Sequence, residues 1–290
     1  MLYNRIKGLV RLEFVEAIKY IIMGIIQGVT EVLPISSSGH VEIVKNLLNP
    51  HANESLLFLI LVNTGSLLAF LLFYRRKIMV LVRGFCLFLF KKDRSESVLE
   101  NMRFIIKLVL ASIPAAIVGI FLRSVFDRLI LDYTTLIAGV GLLFTGTVLM
   151  AVRGRKHLFG DGHVSTKDSI LIGLAQVLAL FPGVSRSGMT TSMALKQEVR
   201  LDRALDFSFM LYIPISIGSL IFTFYDFAKE GFTISSGAYP LYYFLAFIFA
   251  FFGSLVAFRY VFNMFKNGKL THFAVYCLVI GTFGILLFLI

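Results

Sequence analysis

Gln27-Gly28-Val29-Thr30-Glu31-Val32-Leu33-Pro34-Ile35-Ser36-Ser37-Ser38-Gly39-His40 closes an apolar stretch with a polar cluster, and its reading decides the fold. Residues 17–35 have the apolar character of a membrane helix but are broken by Gln27, Thr30, Glu31 and Pro34. Gln27 and Glu31 stand four apart, hence on one helical face. Pro34 stops that helix, because proline lacks the N–H the next turn needs. Residues 169–183 repeat the pattern, broken by Gln176 and Pro182 and ending in Phe181-Pro182-Gly183-Val184-Ser185-Arg186-Ser187-Gly188-Met189-Thr190-Thr191. Gly24-x-x-Gln27 before Ser36-Ser37-Ser38-Gly39 is matched by Gly173-x-x-Gln176 before Ser185-Arg186-Ser187-Gly188, always at an offset of 149.

Around these stretches lie six clean apolar runs, roughly 56–74, 104–122, 132–152, 205–226, 240–259 and 272–290. Each is close to the roughly 20 residues that cross about 30 Å of hydrocarbon as a helix. The composition agrees. Of the 290 residues 58% are apolar and only 16% charged, against about 25% charged in soluble domains. The net charge of +11 collects at the ends of the runs, which points to topology and anionic headgroups and excludes nucleic acid. Cys86 and Cys277 sit in apolar stretches and read as small hydrophobes rather than a disulfide or a metal site. No cleavable signal peptide is expected.

Basic clusters at Arg75-Arg76-Lys77, Lys91-Lys92, Arg153 to Lys156 and Lys266 to Lys269 mark the cytoplasmic side. The six spans then alternate consistently only if each broken stretch enters and leaves on one side. Segment 17–50 dips in from outside and 168–200 from inside, which places Arg5, Lys7 and Arg11 on the outer side. The apolar piece 78–90, basic at both ends, is too short to span and is expected to lie at the interface. The expected fold is an all-α integral membrane protein, one transmembrane domain over 1–290. It is an inverted-topology repeat of about 14–153 and 165–290, each half a re-entrant hairpin plus three transmembrane helices. Such repeats place the functional site near the midplane, where broken helices meet. Irregular backbone there must be buried or line a cavity.

The tips carry the chemistry. Ser and Thr in membrane helices usually hold helices together, and Gln27 and Gln176 read first as structural hydrogen-bonders. Glu31 and Arg186 are different, because ionisable groups inside a bilayer are costly and functional by default. A structural ion pair joining the repeats is the competing account. Gly183 and Gly188 allow close backbone approach. Ser36, Ser38, Ser185, Ser187 and Thr190 surround them with donors, and Arg186 can fork onto phosphate oxygens. The set fits phosphoryl transfer. Ser37 is the candidate nucleophile or phosphate binder, His40 its candidate base, and Glu31 with Gln27 a candidate ligand set for Mg²⁺ or Ca²⁺. His51, His157, His163 and His272 are expected to be solvated. Paired hairpins in an inverted repeat also suit a transporter or flippase of an anionic lipid. That reading needs Arg186 and donors but no nucleophile.

The pattern Gln-x3-Glu-x-Leu-Pro-x-Ser-Ser-Ser-Gly-His, followed by Pro-Gly-x-Ser-Arg-Ser-Gly-x-Thr, resembles the undecaprenyl-diphosphate phosphatases, the bacitracin-resistance proteins of bacteria. The resemblance extends over nearly the whole chain. It implies removal of the terminal phosphate of undecaprenyl diphosphate, in a bacterial inner membrane, at a site opening to the outer face, with a divalent cation. By position it implies that Glu31 is the essential acid, with Ser37, His40 and Arg186 the motif serine, histidine and arginine. Many members carry Glu where this chain has Gln27, so a scheme with two carboxylates is not available here. Ser38 replaces the Thr of some members and keeps the hydroxyl. The partners so implied are the lipid diphosphate and membrane lipids, with a second copy of the chain as a further expectation.

Overall fold

The structure, a computed structural model, describes residues 2–48, 56–130, 133–154, 162–229, 239–266 and 270–289. The described chain is helical: α1 Leu2–Val32, α2 Ser37–Leu48, α3 Leu56–Phe73, α4 Arg75–Phe90, α5 Glu96–Ile130, α6 Thr134–Val152, α7 Thr166–Val177, α8 Arg186–Lys196, α9 Leu201–Lys229, α10 Tyr239–Lys266 and α11 Leu270–Leu289. A 3₁₀ turn, Leu178–Leu180, extends α7. Side chains of residues 2–12, Arg155, Lys156, His51 and His157 lie outside what is described, as do the expectations that rest on them.

Five helices or parts of helices are long and apolar enough to cross a membrane: Glu96–Phe121, Thr134–Val152, Leu201–Lys229, Tyr239–Val261 and Leu270–Leu289. The sixth expected span is α3, whose 18 residues lie at the short end of the spanning range. It meets α4 at a 75° bend. α4 begins Arg75-Arg76-Lys77 and turns Met79, Val82, Phe85 and Phe90 outward, the amphipathic arrangement of a helix lying in the interface. Elsewhere many large apolar side chains face outward, Phe121 (76% exposed) and Tyr260 (60%) among them. In water they would form an aggregating surface; against lipid they are solvated.

The broken stretches are two helical hairpins. α1 stops at Val32, the chain turns through Pro34, and α2 leaves from Ser36. α7 is capped at its start by a reciprocal Ser165–Asp168 pair, runs through the 3₁₀ turn to Pro182-Gly183, and α8 leaves from Ser185. α2 and α8 have 12 and 11 residues, at 1.5 Å rise each about half the hydrocarbon thickness. One arm exceeds expectation: α1 runs back to Leu2, 31 residues in all, where the sequence suggested a start near residue 17.

Each hairpin packs on a helix from the other half of the chain. α1 lies along α10, and at Gly24 and Gly28 an added Cβ would stand 2.3 and 2.1 Å from the carbonyl oxygens of Ala246 and Ala250. α7 lies along α5, and at Gly173, the match of Gly24, it would stand 2.5 Å from the Ala111 oxygen. Such close backbone approach is the usual way membrane helices gain packing. α3 packs against α9, and α6 against α11. The hairpin tips meet between these pairs.

Candidate active site

At the end of α1, Glu31 holds its carboxylate between two matched positions of the repeat. Oε1 accepts from Arg186 Nη2 at 3.0 Å and Oε2 accepts from the Ser37 hydroxyl at 2.5 Å. Ser37 and Arg186 are 149 apart. The ion pair is largely buried, with side chains 12% and 14% exposed. Such a pair is costly to desolvate and costlier to break. The next pair of neighbours keeps the same spacing. Gln27 Nε2 donates to Glu31 Oε2 at 3.1 Å and to Asn63 Oδ1 at 3.0 Å, while the Arg186 guanidinium lies 4.1 Å over the ring of Tyr212. Asn63 and Tyr212 are again 149 apart.

The helix starts complete the site. Ser36 takes a left-handed φ of 68°, uncommon for a residue with a Cβ and frequent at functional sites. Its hydroxyl accepts from Gly39 N at 3.3 Å. In the other hairpin the Ser185 hydroxyl accepts from Gly188 N at 3.1 Å. Both helices thus cap their third amide and leave the first ones facing the tip, where partial positive charge collects. Glu31, Ser36, Ser37, Ser38, Asn63, Ser185, Arg186, Ser187 and Tyr212 are among the residues lining a cavity of about 330 Å³. Arg186 Nη1 is buried without a protein partner. Two helix N-termini, a guanidinium donor left over and three serine hydroxyls of one hairpin are the donors that an anion of phosphate type would use.

The expected site residues divide. Glu31, Ser36, Ser37, Ser38, Ser185, Arg186 and Ser187 converge on the cavity. Gly183, Gly188 and Thr190, expected to bind phosphate, do not line it. Gly183 (φ 83°) packs against Ala138, and its amide donates to the Ser38 hydroxyl at 3.3 Å. Gly188 is consumed by the cap, and Thr190 bonds the Arg186 carbonyl and Ser208. His40 also stands apart from the expected role of base to Ser37. Its Nδ1 meets the Ser36 carbonyl at 2.7 Å and its Nε2 the Tyr276 hydroxyl at 3.0 Å, with the two rings stacked. Nδ1 therefore carries the proton and Nε2 accepts from Tyr276. Ser37 and His40 both belong to the first turn of α2, but the hydroxyl of the first meets Glu31 while the imidazole of the second meets Tyr276 of α11.

His40 belongs to a second, apolar cavity of about 610 Å³, walled by Ile25, Val29, Ile43, Phe273, Tyr276 and Phe283 among others. Thr30 and Leu33 line both cavities. His272, expected to be solvated, is exposed and lines it too.

Asn63 and Tyr212 were missed from sequence. A lone amide in the middle of the run 56–74 was a usable signal. Nothing marked Tyr212 except its match to Asn63.

For a divalent cation the oxygen donors on hand are Glu31, Ser37, Asn63 and Gln27. Among the described residues no three His, Cys, Asp or Glu side chains group together. One carboxylate with neutral oxygens does not enclose a cation, but it fits one that takes most of its ligands from phosphate oxygens, as Mg²⁺ commonly does. As placed, Gln27 turns its amide nitrogen to Glu31, so as a ligand it would present the other face of its amide.

Fold and site together define a polytopic membrane protein with a buried phosphate-type site between two hairpin tips, next to an apolar cavity. A protein-family model described as Bacitracin resistance protein BacA matches residues 20–283, and the chain belongs to that family. It is similar to Undecaprenyl-diphosphatase 2 of Bacillus thuringiensis, 37% identical over 269 residues covering 93% of this chain and 97% of the relative. It is 37% identical to an undecaprenyl-diphosphatase of Oceanobacillus iheyensis over 272 residues, 94% and 96% of the two chains. To one of Acholeplasma laidlawii it is 35% identical over 281 residues, 95% and 99% of the two.

Proposed function

We propose that this chain hydrolyses undecaprenyl diphosphate to undecaprenyl phosphate and inorganic phosphate, recycling a lipid carrier for wall synthesis and giving resistance to bacitracin. The observation that carries it is a polar anion cavity lying beside an apolar one, with Thr30 and Leu33 in the walls of both. A diphosphate fits the first and the start of its prenyl tail the second. Ser37 is the nucleophile. Its hydroxyl already donates to Glu31, so as Oγ attacks the terminal phosphorus the proton passes to Glu31. The bond to the bridging oxygen breaks and undecaprenyl phosphate departs with that proton. Water then attacks the phosphoserine with Glu31 as acceptor, and the Ser37 oxygen takes the proton back. Arg186 and the first amides of α2 and α8 hold the equatorial oxygens, where charge develops. A divalent cation shared by Glu31 and the diphosphate would neutralise further phosphate charge.

In this proposal the enzyme sits in the bacterial inner membrane, its halves inverted and its site open to the outer face. Phosphate release from undecaprenyl diphosphate by purified protein, with and without Mg²⁺ or Ca²⁺, tests the activity. Release lost in both Ser37→Ala and Arg186→Ala supports it. No release by folded wild type would sink it and favour carriage of the lipid instead.

A further inference from the structure

A third cavity lies apart from the hairpin tips. It occupies about 520 Å³ where α4 turns away from α3 at the 75° bend, and α5, α9 and the residues before α7 close it. It shares no lining residue with either cavity described above. Five basic side chains line it, Arg76, Lys77, Arg103, Lys107 and Arg203, against two carboxylates, Glu100 and Asp206. Some of that charge is already matched. Lys77 is paired with Asp206 and lies 4.2 Å over the Phe104 ring, and Arg103 meets Glu96 at 3.0 Å. Arg76 and Lys107 have no ion pair among the described residues. Lys107 is moreover half-buried, where an unmatched ammonium is costly.

The walls say what kind of anion matches it. Val80, Leu81, Phe104, Val164 and Phe207 form the apolar part of the wall, with Asn101 and His163 completing it, and Met79 and Val82 of α4 and Ile106 of α5 are exposed. A soluble anion needs only the cations. A lipid headgroup needs the cations with apolar surface leading away from them, which is the arrangement found. Basic pockets between membrane helices at the interface are sites for anionic headgroups.

We propose that this notch binds the phosphate headgroup of an anionic membrane phospholipid, with Arg76, Lys107 and Arg203 on the phosphate and the acyl chains running over the apolar face of α4 and α5. The site is separate from the catalytic one and stands whether or not the chain is a phosphatase.

The test is native mass spectrometry of delipidated full-length protein in nonionic detergent, titrated with phosphatidylglycerol or phosphatidylcholine. The wild type is expected to take up one phosphatidylglycerol that phosphatidylcholine does not replace. Lys107→Gln with Arg203→Gln should weaken that binding roughly 30-fold, at about 1 kcal/mol per basic residue near the surface. Lys107→Arg with Arg203→Lys should preserve it. Arg76→Gln, on the exposed side of α4, gives a second reading should the double variant fold poorly, and is expected to weaken binding severalfold. Equal affinity for the two lipids, or unchanged phosphatidylglycerol binding in both Gln variants, overturns the proposal. So does displacement of the lipid by millimolar inorganic phosphate, which would make the notch a soluble-anion site.

Discussion

At the scale of single residues, the carboxylate of Glu31 is the centre of the site. It accepts from Ser37, Gln27 and Arg186 at once, so replacing it leaves three donors without their acceptor. Glu31→Gln is expected to lower phosphate release by about 100-fold or more, the usual cost of losing a positioned proton acceptor. His40→Gln keeps a polar group against Ser36 and Tyr276 and should retain activity within about tenfold. Initial-rate assays of the two variants decide the matter, and the opposite order would return the role of base to His40. Gly183→Ala should fail for a different reason. Its φ of 83° strains a side chain, and the new Cβ would lie 2.0 Å from the Ala138 oxygen, so a loss of more than about 2 kcal/mol is expected in thermal unfolding. Glu31, Ser37 and Arg186 were legible in the sequence because charged or hydroxyl groups in apolar runs need a reason to be there. The place of His40 was not. It depends on Tyr276 of α11, which meets its Nε2 and stacks on its ring, and a contact so distant in the chain leaves no local pattern.

Among the elements, the boundaries of α3, α6, α9 and α11 follow the apolar runs within a few residues, because lipid contact demands uninterrupted apolar faces, and α10 does so at its start but runs on to Lys266. α5 and α1 run on past theirs. Helix continues beyond the hydrocarbon wherever nothing stops it, and neither stretch has a proline or glycine cluster at the expected end. The bend between α3 and α4 was legible as a change from apolar to basic at Tyr74-Arg75. It makes a clean prediction, since the chain contains no tryptophan. Phe90→Trp, 80% exposed on α4, should emit to the blue in lipid vesicles and be quenched by lipids brominated near the headgroup more than by those brominated at the tail end. Quenching strongest at the tail end would mean that α4 crosses the bilayer.

For the whole molecule, the offset of 149 reaches further than the motifs that revealed it. It links Gly24 with Gly173, Ser37 with Arg186 and Asn63 with Tyr212, and the first pair seat equivalent hairpins on helices of opposite halves. The sequence could not show that exchange, because it is a property of packing rather than of pattern. If the halves are inverted as proposed, Leu241→Cys and Lys92→Cys, at matched positions 149 apart, lie on opposite faces. In a background with Cys86→Ser, a membrane-impermeant thiol reagent should modify the first in intact cells and the second only after permeabilisation. Modification of both without permeabilisation would disprove that orientation.

The ion pair between the hairpins also has a consequence in time. Glu31 and Arg186 are 155 residues apart, and a ribosome adding roughly 5–20 residues per second delivers the arginine on the order of 10–30 s after the glutamate. During that interval Glu31 has only the neutral donors of its own half, Ser37 and Gln27, and no cation. The first hairpin is therefore made with its acid uncompensated, and the second hairpin completes it only when the chain is about two-thirds synthesised.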